Sequence, residues 1–175
     1  MTRHRLFFKG LALLAASLFG LMAASSVSGQ GGDQGTAAAQ IERAQAYFQA
    51  GFYGHAPRGR PVEAADSYRK AVEAYRAALA AEPGSLAAQR GLARVYFVQR
   101  DFAGAARHYQ RVTELAPLDL DAYVHQALAL IESGRPDAAV LALESAQAHT
   151  DDVRARATLE GYIGRIRARL GEEVK

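Results

Sequence analysis

Ser67 and Lys70 form an S-x-x-K string, in which a serine nucleophile and a lysine base could share one helix face and carry out acyl transfer. The S-D-N and K-T-G strings that accompany such a site do not occur in this chain. Five histidines, at 4, 55, 108, 125 and 149, could ligate a metal. None falls in H-E-x-x-H or a comparable spacing, so no metal and no cofactor is expected, and His108 and His125 read as helix-surface residues. Asp119 with Asp121, and Asp151 with Asp152, could act as acid–base pairs. They read better as helix starts, where carboxylates meet free backbone N–H groups. Residues 29–35 (GQGGDQG) offer glycines for a phosphate cradle, yet no strand precedes them and their spacing is wrong for one. Nothing arranges a nucleophile, a base and an oxyanion hole together, so the chain is expected not to be an enzyme.

Composition narrows the field further. A length of 175 residues, half of them apolar, is enough for one domain with a packed core. The absence of Cys rules out disulfides, thiolate chemistry and a cysteine-linked lipid, and the absence of Asn rules out N-glycosylation. The pI near 9.3 suggests nucleic acid at first sight. However, Arg3, Arg5 and Lys9 are the only charged residues among the first 30, and the rest of the chain carries 18 basic and 18 acidic groups. A neutral body lacks the electrostatic footprint of a nucleic-acid binder, so none is expected as partner.

The N-terminus has its own pattern. A basic start is followed by 14 apolar or small residues from Leu11 to Ala24, then by Ser25, Ser26, Val27, Ser28 and Gly29. This reads as a signal peptide over 1–28, cleaved between Ala24 and Gln30, with a flexible linker over 29–36. The expected location is periplasmic or secreted. The alternative is an uncleaved anchor, although the apolar run is short beside the ~20 residues of a spanning helix.

The elements that must position any site come from a repeat. Ala71, Ala105 and Ala139 are 34 apart, as are Tyr75, Tyr109 and Leu143, and Ala78, Val112 and Ala146. Pro83 and Pro117 keep the same spacing, and so do Ala93 with Ala127, Tyr96 with Leu130, and Phe97 with Ile131. Alanines at fixed places let helices approach closely, the larger residues fill the space between them, and the prolines end helices. Leu159, Ile163, Ile166 and Leu170 give a last amphipathic stripe, which Asp151 or Asp152 could cap. Gly161 lies 34 after Ala127 and reads as the same close-packed spot.

A period of 34 with these columns resembles the tetratricopeptide repeat over roughly residues 37–150, the clearest unit running Leu92, Ala93, Tyr96, Ala105, Tyr109, Pro117. The next unit departs at Gln126, where a Leu is usual, and at Asp151, where a third Pro would stand. The resemblance implies an all-α fold: an α-solenoid of about three helical hairpins, closed by a capping helix over 151–170 and a tail over 171–175, seven helices in total. In the family, a second face of each first helix lines a concave groove that holds a protein or peptide. The matching places here include Phe48, Arg90, Arg94, Phe97, Leu128 and Ile131, an apolar ladder flanked by guanidiniums that suits a hydrophobic peptide with a carboxylate. The same apolar residues fit equally well as an interior between neighbouring helices or as a homodimer contact.

The first unit carries about 15 extra residues, because Tyr47 and Phe48 lie 49 before Tyr96 and Phe97. Three Gly and two Pro over 51–61 predict a loop there. Phe52, Tyr53, His55, Arg58 and Arg60 would make that loop either a second contact site or a tolerated insertion. The expected function is a non-catalytic protein- or peptide-binding module of the cell envelope, such as an assembly or trafficking adaptor. The alternative is a structural protein that self-associates through the groove or the capping helix.

Overall fold

The computed structural model describes residues 35–173, with side chains to 171; the expected signal peptide and almost all of the linker lie outside them. Seven α-helices follow in order among the described residues: α1 (Ala37–Gln49), α2 (Pro61–Ala81), α3 (Leu86–Val98), α4 (Phe102–Leu115), α5 (Leu120–Glu132), α6 (Pro136–Ala148) and α7 (Val153–Glu173). The chain is an all-α solenoid in which each helix packs on the next, and α1 also touches α3. The last helix continues through Glu173, so most of the expected tail is helical.

Local chemistry sets the boundaries. Thr36 accepts from the Ala39 N–H at the start of α1, Asp101 from Gly104 at α4, Asp119 from Ala122 at α5, and Asp152 from Arg154 at α7. Pro61 and Pro136 occupy first turns, where a missing N–H costs nothing. The α3 and α5 helices end in the same manner. Arg100 (φ +64°) and Gly134 (φ +77°) adopt left-handed backbone, and the next residue's N–H reaches back five residues, to Tyr96 and Leu130.

The repeated columns form the interior. Ala71, Ala93, Ala105 and Ala139 are fully buried, and Ala127 nearly so. Tyr109, Leu92, Leu143, Val95 and Val112 are the largest fully buried side chains. One cluster joins α1, α2 and α3 through Phe48, Tyr68, Tyr75, Leu92 and Val95. The other joins α4 to α7 through Tyr123, Leu130, Leu143, Leu159 and Ile163, and Tyr96 packs against both.

Two expectations are corrected. The segment 51–61 is not a loop: α1 runs on as a π-helical stretch, Ala50–His55, and a 3₁₀ turn, Ala56–Arg58, before Gly59 (φ +67°) turns the chain. Gly51 is buried, and a Cβ there would meet the Tyr68 ring at 2.7 Å, so the glycine docks α1 on α2 rather than breaking it. Gly161, in turn, is exposed, with open space where its Cβ would be. Among the described residues no helix packs on this face of α7, so the close-packed spot that Ala127 fills has no counterpart at Gly161.

Candidate functional site

The first-helix face is built from α1, α3 and α5. Phe48 is buried, contrary to an open groove position: its ring stacks on Phe52 (5.6 Å, 12°) and tilts against Tyr68 (6.1 Å). The Arg94 guanidinium lies over Phe48 at 5.1 Å from the centroid, a cation–π contact. Phe52 in turn meets Tyr53 edge-on at 4.9 Å. Residues expected in two separate sites, Phe48 with Arg94 and Phe52 with Tyr53, therefore form one aromatic–cation cluster. The helical path of 50–55 brings them together, since it points Phe52 back along α1 onto Phe48.

The remaining face residues differ in access. Phe97 is half-buried, edge-on to Phe102 (5.2 Å, 70°), with Arg100 over the Phe102 ring at 5.4 Å. Ile131 and Val124 are half-buried against the C-terminal cluster. Leu128 is buried, a second correction to the expected groove lining. Arg90 pairs with Asp119, the residue that caps α5. This guanidinium therefore ties α3 to the start of α5.

In the former insertion, Arg58 donates to the carbonyls of Gly54 and Tyr53 and closes the π-helical end. Arg60 is exposed at the start of α2, and Tyr53 is 57% exposed. Of this segment's expected residues, Phe52, Tyr53 and Arg60 are exposed, and Arg58 is tied to its own backbone. At the far end, Arg165 lies over Tyr162 at 5.0 Å on α7.

The polar residues with catalytic potential are engaged elsewhere. Ser67 is buried and donates to the Glu63 carbonyl at 2.9 Å. Lys70 gives its hydrogen bond to Asp66, which raises its pKa; a lysine base would need the opposite shift. Among the described residues, no three His, Asp or Glu side chains gather as a metal-holding group.

Sequence reasoning missed a series of tyrosine–histidine stacks. Tyr96 lies on His108 (5.4 Å, 13°), Tyr109 on His125 (5.2 Å, 25°) and Tyr123 on His149 (5.9 Å, 21°). His108 and His125 are half-buried between helices instead of lying on the surface. Burial holds the His108 pKa below its usual value, with Arg107 and Arg76 adding to the effect, and its Nδ1 meets Gln89 at 2.7 Å. The separations within these pairs do not repeat at 34, so the period could not reveal them.

Residues 63–131, from α2 to the end of α5, match the tetratricopeptide repeat family. No curated protein matches the chain. Among solved structures, the N-terminal domain of stress-induced protein-1 (STI-1) from C. elegans aligns at 18% identity with a TM-score of 0.46, covering 70% of this chain and 96% of that one. The repeat columns and the family match together make the chain similar to tetratricopeptide repeat proteins over residues 63–131, in a fold of stacked helical hairpins.

Proposed function

We propose that the chain is a non-catalytic module that binds a protein or peptide along its first-helix face, acting in the cell envelope as an assembly or trafficking adaptor. The observation that carries the binding part is the partial exposure of Phe97, Val124 and Ile131, with the half-buried Arg94 one turn before Phe97 on α3. A half-buried apolar row on rigid helices is pre-organised, so a ligand that covers it loses little conformational freedom in the protein. The repeat family is one of protein-interaction modules, which supports the same reading. The envelope part rests on the basic and apolar pattern of residues 1–28.

The test is Phe97→Ala in the full chain, purified with its partner from its own cells. The expected result is a folded protein, destabilised by about 1 kcal/mol through the lost edge contact with Phe102, from which a stoichiometric partner has dissociated. If the variant is unfolded, Phe97 is a core residue and the reading of this face fails. Light scattering addresses self-association: an oligomer that grows with concentration would favour the structural alternative.

A further inference from the structure

One of the three tyrosine–histidine stacks differs from the others in what its imidazole holds. His125 and His149 each turn Nδ1 to a backbone carbonyl four residues back, that of Asp121 at 2.8 Å and that of Ser145 at 2.7 Å. His108 turns Nδ1 across a seam instead and donates to Gln89 Oε1 on α3 at 2.7 Å. Gln89 is buried, and the His108 ring lies nearly parallel to Tyr96, also on α3 (5.4 Å, 13°). The Tyr96 hydroxyl in turn accepts from Arg76 of α2 at 2.7 Å. One half-buried imidazole on α4 thus grips two side chains of α3, and the chain of contacts continues to α2. An amide oxygen only accepts, so Nδ1 carries the hydrogen of the neutral ring and a second proton would go to Nε2.

The charge acting on this ring is mostly positive. Arg76 on α2 and Arg107 on α4 both disfavour its protonation, and Asp101 at the start of α4 opposes them. Asp101 is already engaged, because it accepts the Gly104 N–H at 2.8 Å as the cap of α4. α3 faces the ring with the uncharged Gln89 and Tyr96. Arg111 and Glu114 border the same shallow surface depression and pair with each other. Among the described residues, α5 adds no charge that shifts this ring. Burial is the largest influence, and together with the two guanidiniums it holds the imidazole below the usual histidine pKa. The Gln89 bond can be made by either form of the ring, and the Tyr96 face attracts a cation only weakly where water reaches it.

We propose that His108 is an acid-sensitive latch on the α3–α4 seam: the neutral imidazole holds the two helices together, and a proton taken up at Nε2 weakens their packing. The device sits within the stack, since α3 meets α2 on one side and α4 on the other. A histidine whose folded value lies below its unfolded one, near 6.5, stabilises the fold fully above that pH. The contribution is lost as pH falls from about 6.5 through the folded value. Carboxylates titrate lower, so the two kinds of acid loss separate along the pH axis. α3 also carries Arg94 and Phe97, so the latch sets how firmly that face is held. The inference does not depend on that face being a binding surface.

The experiment follows the histidine ring protons of the full chain by NMR from about pH 8 down to about pH 4.5, on either side of the ordinary histidine value. His108→Gln assigns the His108 signal by its loss. The expected midpoint lies below about 6.5. It should rise toward that value in Arg107→Gln, and in the unaltered chain as salt screens the guanidiniums. Arg107 is exposed, so this variant should fold. Urea unfolding gives the second reading: between about pH 7.5 and about pH 5, the folding constant of the unaltered chain should fall about threefold further than that of His108→Gln. Should His108→Gln not fold, the ring is assigned through its contacts with Tyr96, and the Arg107→Gln midpoint decides. A midpoint at or above the ordinary value, one that ignores both Arg107→Gln and salt, or equal acid losses in the two chains would each overturn the proposal.

Discussion

The α2–α3 and α4–α5 seams occupy equivalent places in the repeat and solve the same packing problem differently. In the first, the Tyr75 ring lies against the backbone of α3 at Gly91, so close that a Cβ there would sit 2.2 Å from the ring. In the second, 34 residues on, Tyr109 occupies the place of Tyr75 and His125 that of Gly91, and the two rings stack at 5.2 Å. His125 is fixed by its own helix, with Nδ1 2.8 Å from the Asp121 carbonyl. A buried tyrosine can thus be covered by a bare stretch of helix or by a flat side chain held parallel to it. The repeat conserves the ring's place and lets the cover vary.

Truncating the common element should have the largest effect. Tyr109→Ala removes a fully buried ring and is expected to cost about 4 kcal/mol in urea unfolding. Tyr75→Ala should cost less, because Gly91 leaves the adjoining backbone free to settle. Equal losses would mean that the cover does not matter.

Alkaline titration probes the same two rings without mutation. Burial pushes Tyr75 up to about 12 and raises Tyr109 further. Both rings hold their protons more tightly folded than unfolded, so their contribution to stability is intact below the ordinary tyrosine value near 10. That of Tyr75 should be lost as pH climbs from about 10 to about 12. Tyrosinate absorbance from the seam tyrosines should therefore appear only above the ordinary value, together with loss of helix. A single stage near the ordinary value would contradict their burial.

Exchanging the covers gives smaller effects. Gly91→Ala drives a methyl into a buried ring and should cost about 2 kcal/mol, seen as a lower thermal midpoint. His125→Ala loses the stack and the Nδ1 contact with the Asp121 carbonyl and should cost about 1 kcal/mol. The reverse order would show that Tyr75 moves aside easily and that the second seam depends on its histidine. Of similar size and opposite sign, Arg100→Gly should gain about 1 kcal/mol, because the left-handed backbone that Gly134 provides freely is strained at Arg100.

The contrast also explains what the sequence could show. Columns such as Ala93 with Ala127 and Ala105 with Ala139 were legible, because close helix approach demands small residues at every turn of the stack. Gly51 was misread as a breaker: its role depends on Tyr68, a ring on another helix, which local propensity cannot include. Proline at 57 proved compatible with helix because it opens the 3₁₀ turn, where no backbone donor is missed. Of the candidate face, Phe48 and Leu128 are buried, Phe48 by the Phe52 and Tyr68 rings, which lie outside the period. The Arg90–Asp119 pair was hidden for the same reason, since its 29-residue separation follows no repeat.

The account turns on the first-helix face of α3 being a binding surface. A photocrosslinking residue at position 94, compared in intact cells with the same residue at exposed position 62 on α2, tests this directly. The account predicts a discrete protein adduct from position 94 that position 62 does not give; adducts that are absent from both, or the same from both, would contradict it.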